Sequence, residues 1–263
     1  MIRLISLVTL FTVLFFFPVS ILFFYAFSSS WSFPDIVPVT YDLRGVHYLI
    51  GHKRDILFSL VSSCLYSFGT IFVTFAITLL PAKMFARMSF TGKTILEGLF
   101  LAPALIPPMA FAMGAHYMFI HIGISDTFAG VILILSLYSY PFMLRALTAG
   151  YQTYGENFEL CARNIGASTW RILLSIEIPL LLPAILAGGT IVFLVSFSEY
   201  FLVFLIGGGS VASYSGYIFP LLNSSDKSVA SLLTLIFLSV PIVLFIIIDR
   251  VIYRTYRRRG LMR

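Results

Sequence analysis

Four stretches of this chain, 4–27, 56–82, 128–144 and 229–248, contain no Asp, Glu, Lys or Arg. Two more, 94–120 and 180–206, carry one acid each, Glu97 and Glu199. A hydrocarbon core of about 30 Å is crossed by roughly 20 helical residues, so each run is long enough to span a bilayer, 128–144, fourth in chain order, being the shortest. The runs are continuous rather than alternating, which favours helices over a β-barrel. Composition agrees: 59% of the 263 residues are hydrophobic and 11% charged, with a mean hydropathy of +0.99. Soluble domains carry about 25% charged residues. These values exclude a soluble enzyme, a DNA-binding domain and a disordered chain. The sequence predicts an all-α membrane protein, one transmembrane domain over 1–263 with six spanning helices.

The distribution of the basic residues orients the bundle. With both termini placed inside, four of the 17 Lys and Arg fall outside, namely Arg44, Lys53, Arg54 and Lys227. The other thirteen fall inside, which is the bias expected of cytoplasmic loops. The net charge of +6 is concentrated in the tail, from Arg254 to Arg263. Beside a membrane such a cluster reads as an anchor to anionic lipid rather than a nucleic-acid site. Cys64 and Cys161 sit in an apolar run and a polar loop and suggest neither a disulfide nor a metal site. The 24 residues of the first apolar run exceed a signal-peptide core, so a retained span is expected.

The polar segment 145–179 is too long for a plain connector, which needs about 2–8 residues. Its composition predicts helix, turn, helix. Asn157 can cap a helix whose Phe158, Cys161, Ala162 and Ile165 share one face, with Glu159 and Arg163 as an i,i+4 pair. Gly166 stands where a left-handed residue closes a helix, and Ser168 can cap the next, which runs through Trp170 to Pro179. Leu160 lies off the Phe158 face among polar residues, which suggests a partner surface.

This segment resembles the cytoplasmic signature loop of ABC-importer permeases, the inner-membrane components of binding-protein-dependent transport. The family pattern is Glu-Ala-Ala, three residues, Gly, nine residues, Ile-x-Leu-Pro. Cys161 and Ala162 fall on the Ala positions, Gly166 on the Gly, and Ile176 and Pro179 on the Ile and Pro. Leu160 takes the Glu position, with Glu159 one residue early, and Ile178 replaces the Leu. FARMSFTGKTILEGLFLAPALIPPMAFAMG and SFSEYFLVFLIGGG resemble the family's first inner loop with third span and the end of its fifth.

The resemblance implies a type I permease bundle in a bacterial inner membrane, with cytoplasmic termini. It implies two ABC ATPase subunits inside, a second permease, identical or related, and a substrate-binding protein outside. The residues of 145–179 that would meet the ATPase are Glu159, Leu160, Cys161, Ala162, Arg163, Gly166, Ala167, Ser168 and Pro179. The short chain and the SFSEY stretch look most like the polyamine, ferric-ion, thiamine and phosphonate branch, hence a polyamine or other cation as cargo.

Other motifs admit plainer readings. TGKT at 91–94 lacks the Gly that a phosphate loop needs where Arg87 stands, so ATP hydrolysis is expected of a separate chain. His116 and His121 read as interfacial, and no metal, cofactor or catalytic residue is expected. Pro107-Pro108 breaks two successive helical hydrogen bonds, either as a kink absorbed by the bundle or as an unwound segment lining the pathway. Glu199 is the one acid in the last three spans, either solvated at the interface or facing the pathway. An ion-coupled secondary transporter and a membrane-embedded enzyme are the alternatives. The first would not need the long helix–Gly–helix loop, and the sequence shows no Ser/His pairing at equivalent depth or carboxylate cluster for the second.

Overall fold

The computed structural model describes residues 2–31, 34–224 and 226–258. Arg259 and Arg263 of the basic tail lie outside the described residues. The chain is almost wholly helical: α1 (Ile2–Phe27), the antiparallel pair β1 (Ser28–Ser30) and β2 (Thr40–Tyr41), then α2 (Arg44–Gly51) and α3 (Lys53–Arg87). After α4 (Lys93–Leu101) and a 3₁₀ turn at Ala102–Leu105 come α5 (Pro108–His121), α6 (Phe128–Tyr154), α7 (Asn157–Asn164) and α8 (Thr169–Ile172). A π turn at Leu173–Glu177 leads into α9 (Ile178–Ser198), followed by α10 (Phe201–Gly207), α11 (Tyr214–Leu222) and α12 (Lys227–Arg258).

Among the described residues, Lys53–Arg87, Phe128–Tyr154, Thr169–Ser198 and Lys227–Ile248 are long and apolar enough to cross a membrane. A fifth candidate is the pair Lys93–Leu105 and Pro108–His121, which meet at 98°. The third span expected over 94–120, with its break at Pro107-Pro108, is thus two helices, and the break is a sharp bend rather than a kink within one helix. The cause is local. A residue before proline is driven out of the α region, and two prolines in a row do this twice. Ile106 is extended at ψ 129° and Pro107 at ψ 136°, and Pro108 then opens α5, where a missing N–H costs nothing. The fifth run is also divided, at Glu199, whose ψ of 115° ends α9. The fourth extends beyond 144 to Tyr154.

The chain forms two compact units, residues 1–61 with 213–244, and residues 62–212 with 245–263. In the first unit, Ser228 Oγ donates to the Ala26 carbonyl at 2.9 Å and Tyr214 Oη to that of Leu233 at 3.0 Å. Arg44 Nε pairs with Asp226 Oδ2 at 3.1 Å. In the second unit, α6 lies along α9, and one apolar core joins Tyr66, Ile134, Leu135 and Ile206. A second core joins Phe85, Met143, Leu147, Tyr151 and Leu181. The faces that carry Phe11, Leu14, Phe72 and Phe245 are exposed, as lipid-facing surfaces are.

Candidate functional site

The segment between α6 and α9 folds as helix, left-handed glycine, helix. Gly166 has φ +81°, and the cap is a Schellman motif: Ala167 N–H donates to Ala162 O at 3.0 Å and Gly166 N–H to Arg163 O at 2.9 Å. Ser168 Oγ accepts the Arg171 N–H at 3.4 Å and starts α8. The expected cap at Asn157 does not form. Glu156 takes the N-cap position without a side-chain bond, and Asn157 is already helical. Pro179 has no N–H to give the Ser175 carbonyl, and its ring crowds that oxygen. The helix widens just before it, with Ile178 N–H bonded to Leu173 O, five residues back.

Burial in α7 runs against its hydrophobicity. Glu159 and Ala162 are buried, whereas Phe158, Leu160, Cys161 and Ile165 are exposed. Of the apolar face expected at Phe158, Cys161, Ala162 and Ile165, only Ala162 is buried and the other three are exposed, as are Trp170 and Leu174. Leu160 is exposed as anticipated, at 50%. Glu159 does not pair with Arg163. It turns toward the end of α3, where Lys83 Nζ lies 2.6 Å from its Oε2 and Arg87 Nη2 lies 3.5 Å from its Oε1.

A charged cluster explains this inversion. Lys83 Nζ also meets Glu177 Oε1 of the π turn at 2.5 Å. Tyr154 Oη donates to Glu159 Oε1 at 2.7 Å and Tyr151 Oη to Glu177 Oε2 at 2.9 Å. Arg87 donates to the Gly155 carbonyl, stands 3.8 Å from Glu156 Oε1, and lies over the Tyr154 ring at 5.0 Å. Burial raises the Glu159 pKa, but hydrogen bonds from Lys83 and Tyr154 and the charges of Lys83 and Arg87 outweigh it, leaving the carboxyl below its ordinary range. Arg163 and Leu160 border a cavity of about 160 Å³ that is also lined by Lys83, Arg87, Glu156 and Glu159. Lys83, Arg87, Tyr151, Tyr154 and Glu177 were not singled out from the sequence. Their signals were present, in two cations four apart at the end of a span and two tyrosines three apart at the end of another.

The pathway candidates lie elsewhere in the same unit. Beside the Pro107–Pro108 break, Leu99, Phe100, Pro103, Phe111, Leu137 and Tyr140 line an open, mainly apolar groove of about 380 Å³. At the α9–α10 break, Glu199 Oε1 accepts the Leu202 N–H at 3.3 Å, so its carboxylate caps α10. The structure does not bring the loop, the proline break and Glu199 into one site. Among the described residues, no group of three or more His, Cys, Asp or Glu is gathered to hold a metal.

The short helix α7 thus exposes apolar side chains on one side and is held on the other by ion pairs to the end of α3. The model of the binding-protein-dependent transport system inner membrane component family matches residues 77–258. The chain is 30% identical over 132 residues to the molybdenum transport system permease protein ModB of Haemophilus influenzae, which is 45% of this chain and 58% of that one. It is 26% identical over 195 residues to the sulfate transport system permease protein CysT of Escherichia coli, 68% of this chain and 70% of that one. The match thus spans little more than half the length of the Haemophilus relative. In fold, it is similar to a chain of a bacterial ABC transporter involved in the import of the acidic polysaccharide alginate. The TM-score is 0.69 at 15% identity, over 96% of this chain and 95% of that one.

Proposed function

Because the chain belongs to the family of binding-protein-dependent transport system inner membrane components, we propose that it is the permease subunit of an ATP-driven ABC importer, in a bacterial inner membrane. The observation that carries the reading is α7, which buries Glu159 and presents Phe158, Leu160 and Ile165 outward. A separate ATPase docks there, two copies to an assembly of two permeases, and a substrate-binding protein delivers cargo on the opposite side. Hydrolysis belongs to the ATPase chains. The bundle has six spans, with α1 as the first and the divided α4–α5 as the third, and both termini are cytoplasmic. A Cys placed at Ser210 in a cysteine-free chain then reacts with an impermeant reagent added outside, and one placed at Thr255 does not.

The pathway runs past the two places where helices break, at Pro107–Pro108 and at Glu199, as interrupted helices line pathways in transporters. The cargo is a small oxyanion. The curated relatives are named for molybdenum and sulfate transport. A polyamine or other cationic cargo, which the SFSEY stretch suggests and a pathway-facing Glu199 would attract, is the second reading, and the use of that carboxylate as a helix cap weakens its support.

The direct test of docking is Leu160→Asp, which puts a charge into the contact while leaving the buried side of α7 alone. The ATPase should no longer copurify with the membrane-inserted variant. Undiminished copurification would remove the proposed contact.

A further inference from the structure

Helix α7 hangs between two glycines. Gly155 has φ +72° and Gly166 φ +81°, and a Cβ at either would meet nothing within 4 Å. Neither turn is therefore wedged by packing, and α7 buries only Glu159 and Ala162. Its position is set by the charges that reach it from α3. Lys83 is the centre of these, since one ammonium meets Glu159 on α7 and Glu177 on the π turn at the head of α9. Two neighbouring segments, α7 and the π turn, thus share one cation from a helix end more than 70 residues earlier. An ion pair shielded from water resists separation, because each partner left alone keeps an uncompensated charge in a poorly solvated place.

We propose that Lys83 is a positioning residue of transport: it ties the docking helix α7 to the ends of α3 and α9, so that displacement of α7 by the ATPase moves those helices as one piece. The inference rests on α7 being the ATPase contact and adds the route by which the contact acts on the bundle. Without the tie, α7 would swing about Gly155 and Gly166 and the nucleotide cycle would idle.

Two variants of the full chain separate transmission from folding when coexpressed with the ATPase and binding protein and reconstituted in liposomes. Lys83→Met breaks the tie but leaves Glu177 without its cation. The triple variant Lys83→Met, Glu159→Gln, Glu177→Gln breaks it with neutral groups of similar size, which a fold tolerates better than a lone buried charge. Both should retain the ATPase through copurification, while the cargo imported per ATP hydrolysed falls by about tenfold. A triple variant that imports with the parent's ratio would overturn the tie. So would loss of ATPase copurification in the triple variant, which would assign the cluster to shaping the docking surface. Failure of the unmodified chain to retain an ATPase would instead remove the docking reading, and the inference with it.

Discussion

Gly150 of α6 faces Ala184 of α9 so closely that a Cβ added to Gly150 would stand 2.6 Å from the Ala184 Cβ and 3.0 Å from Leu181 Cδ2. Four residues along α9, Gly188 meets Ala146 and Met143 in the same way, each at 2.9 Å from its imagined Cβ. The small residues Ala184 and Gly188 therefore serve the contact between two helices of one chain, a close approach that side chains of any size would prevent. Gly150→Ala should destabilise the solubilised protein by about 1–3 kcal/mol, as overpacking does. Gly114, also within a helix, has open space at its Cβ, so Gly114→Ala should leave the unfolding midpoint unchanged or raise it. Equal midpoints for the two variants would refute the tight α6–α9 contact.

Gly166 makes a different demand. The space around it is open, and the φ of +81° alone restricts the residue. Gly166→Val should cost roughly 1–2 kcal/mol locally and tilt α8 relative to α7. Gly166→Asn, which tolerates the left-handed region, should do far less. The expected signature is normal membrane insertion with lost ATP-driven uptake for Val and retained uptake for Asn. Equal uptake in both would show that the turn does not orient the loop.

The loop shows why part of the site was legible and part was not. Gly166 and Ser168 follow local backbone rules, so their roles could be read from a few neighbouring residues. The orientation of α7 could not. Hydrophobic periodicity assumes that the buried face is the apolar one, and here the burying partner is the charged end of α3, about 70 residues earlier in the chain. Glu159 is therefore inside and Phe158 outside. The place of the Pro107–Pro108 break was likewise visible, but its 98° angle depends on packing against α6 and α10.

The Glu159 pair has a pH signature. Its folded carboxyl titrates below the ordinary Glu value of about 4.3, so its stabilisation is complete above that pH and is lost as pH falls through the lower folded value. The thermal midpoint of the parent should exceed that of Glu159→Gln by a constant margin at neutral pH. The margin should shrink below about pH 4.3. A margin that persists undiminished in acid would mean that the Glu159 charge contributes nothing to the loop.

Glu199 separates charge from shape. Glu199→Gln keeps an oxygen for the Leu202 N–H and should leave both stability and uptake unchanged. Glu199→Ala removes the cap and should cost about 1 kcal/mol. A large loss of uptake in the Gln variant, with expression intact, would place the charge in the pathway and restore the cationic cargo.

The central claim, that this chain is driven by ATP hydrolysed on a partner docked at α7, is tested most directly in liposomes that hold the chain with its ATPase and the substrate-loaded binding protein. Cargo should accumulate only when ATP is supplied on the ATPase side, and accumulation should survive ionophores that abolish proton and sodium gradients. Accumulation driven by an ion gradient without ATP would contradict the account and make the chain a secondary transporter.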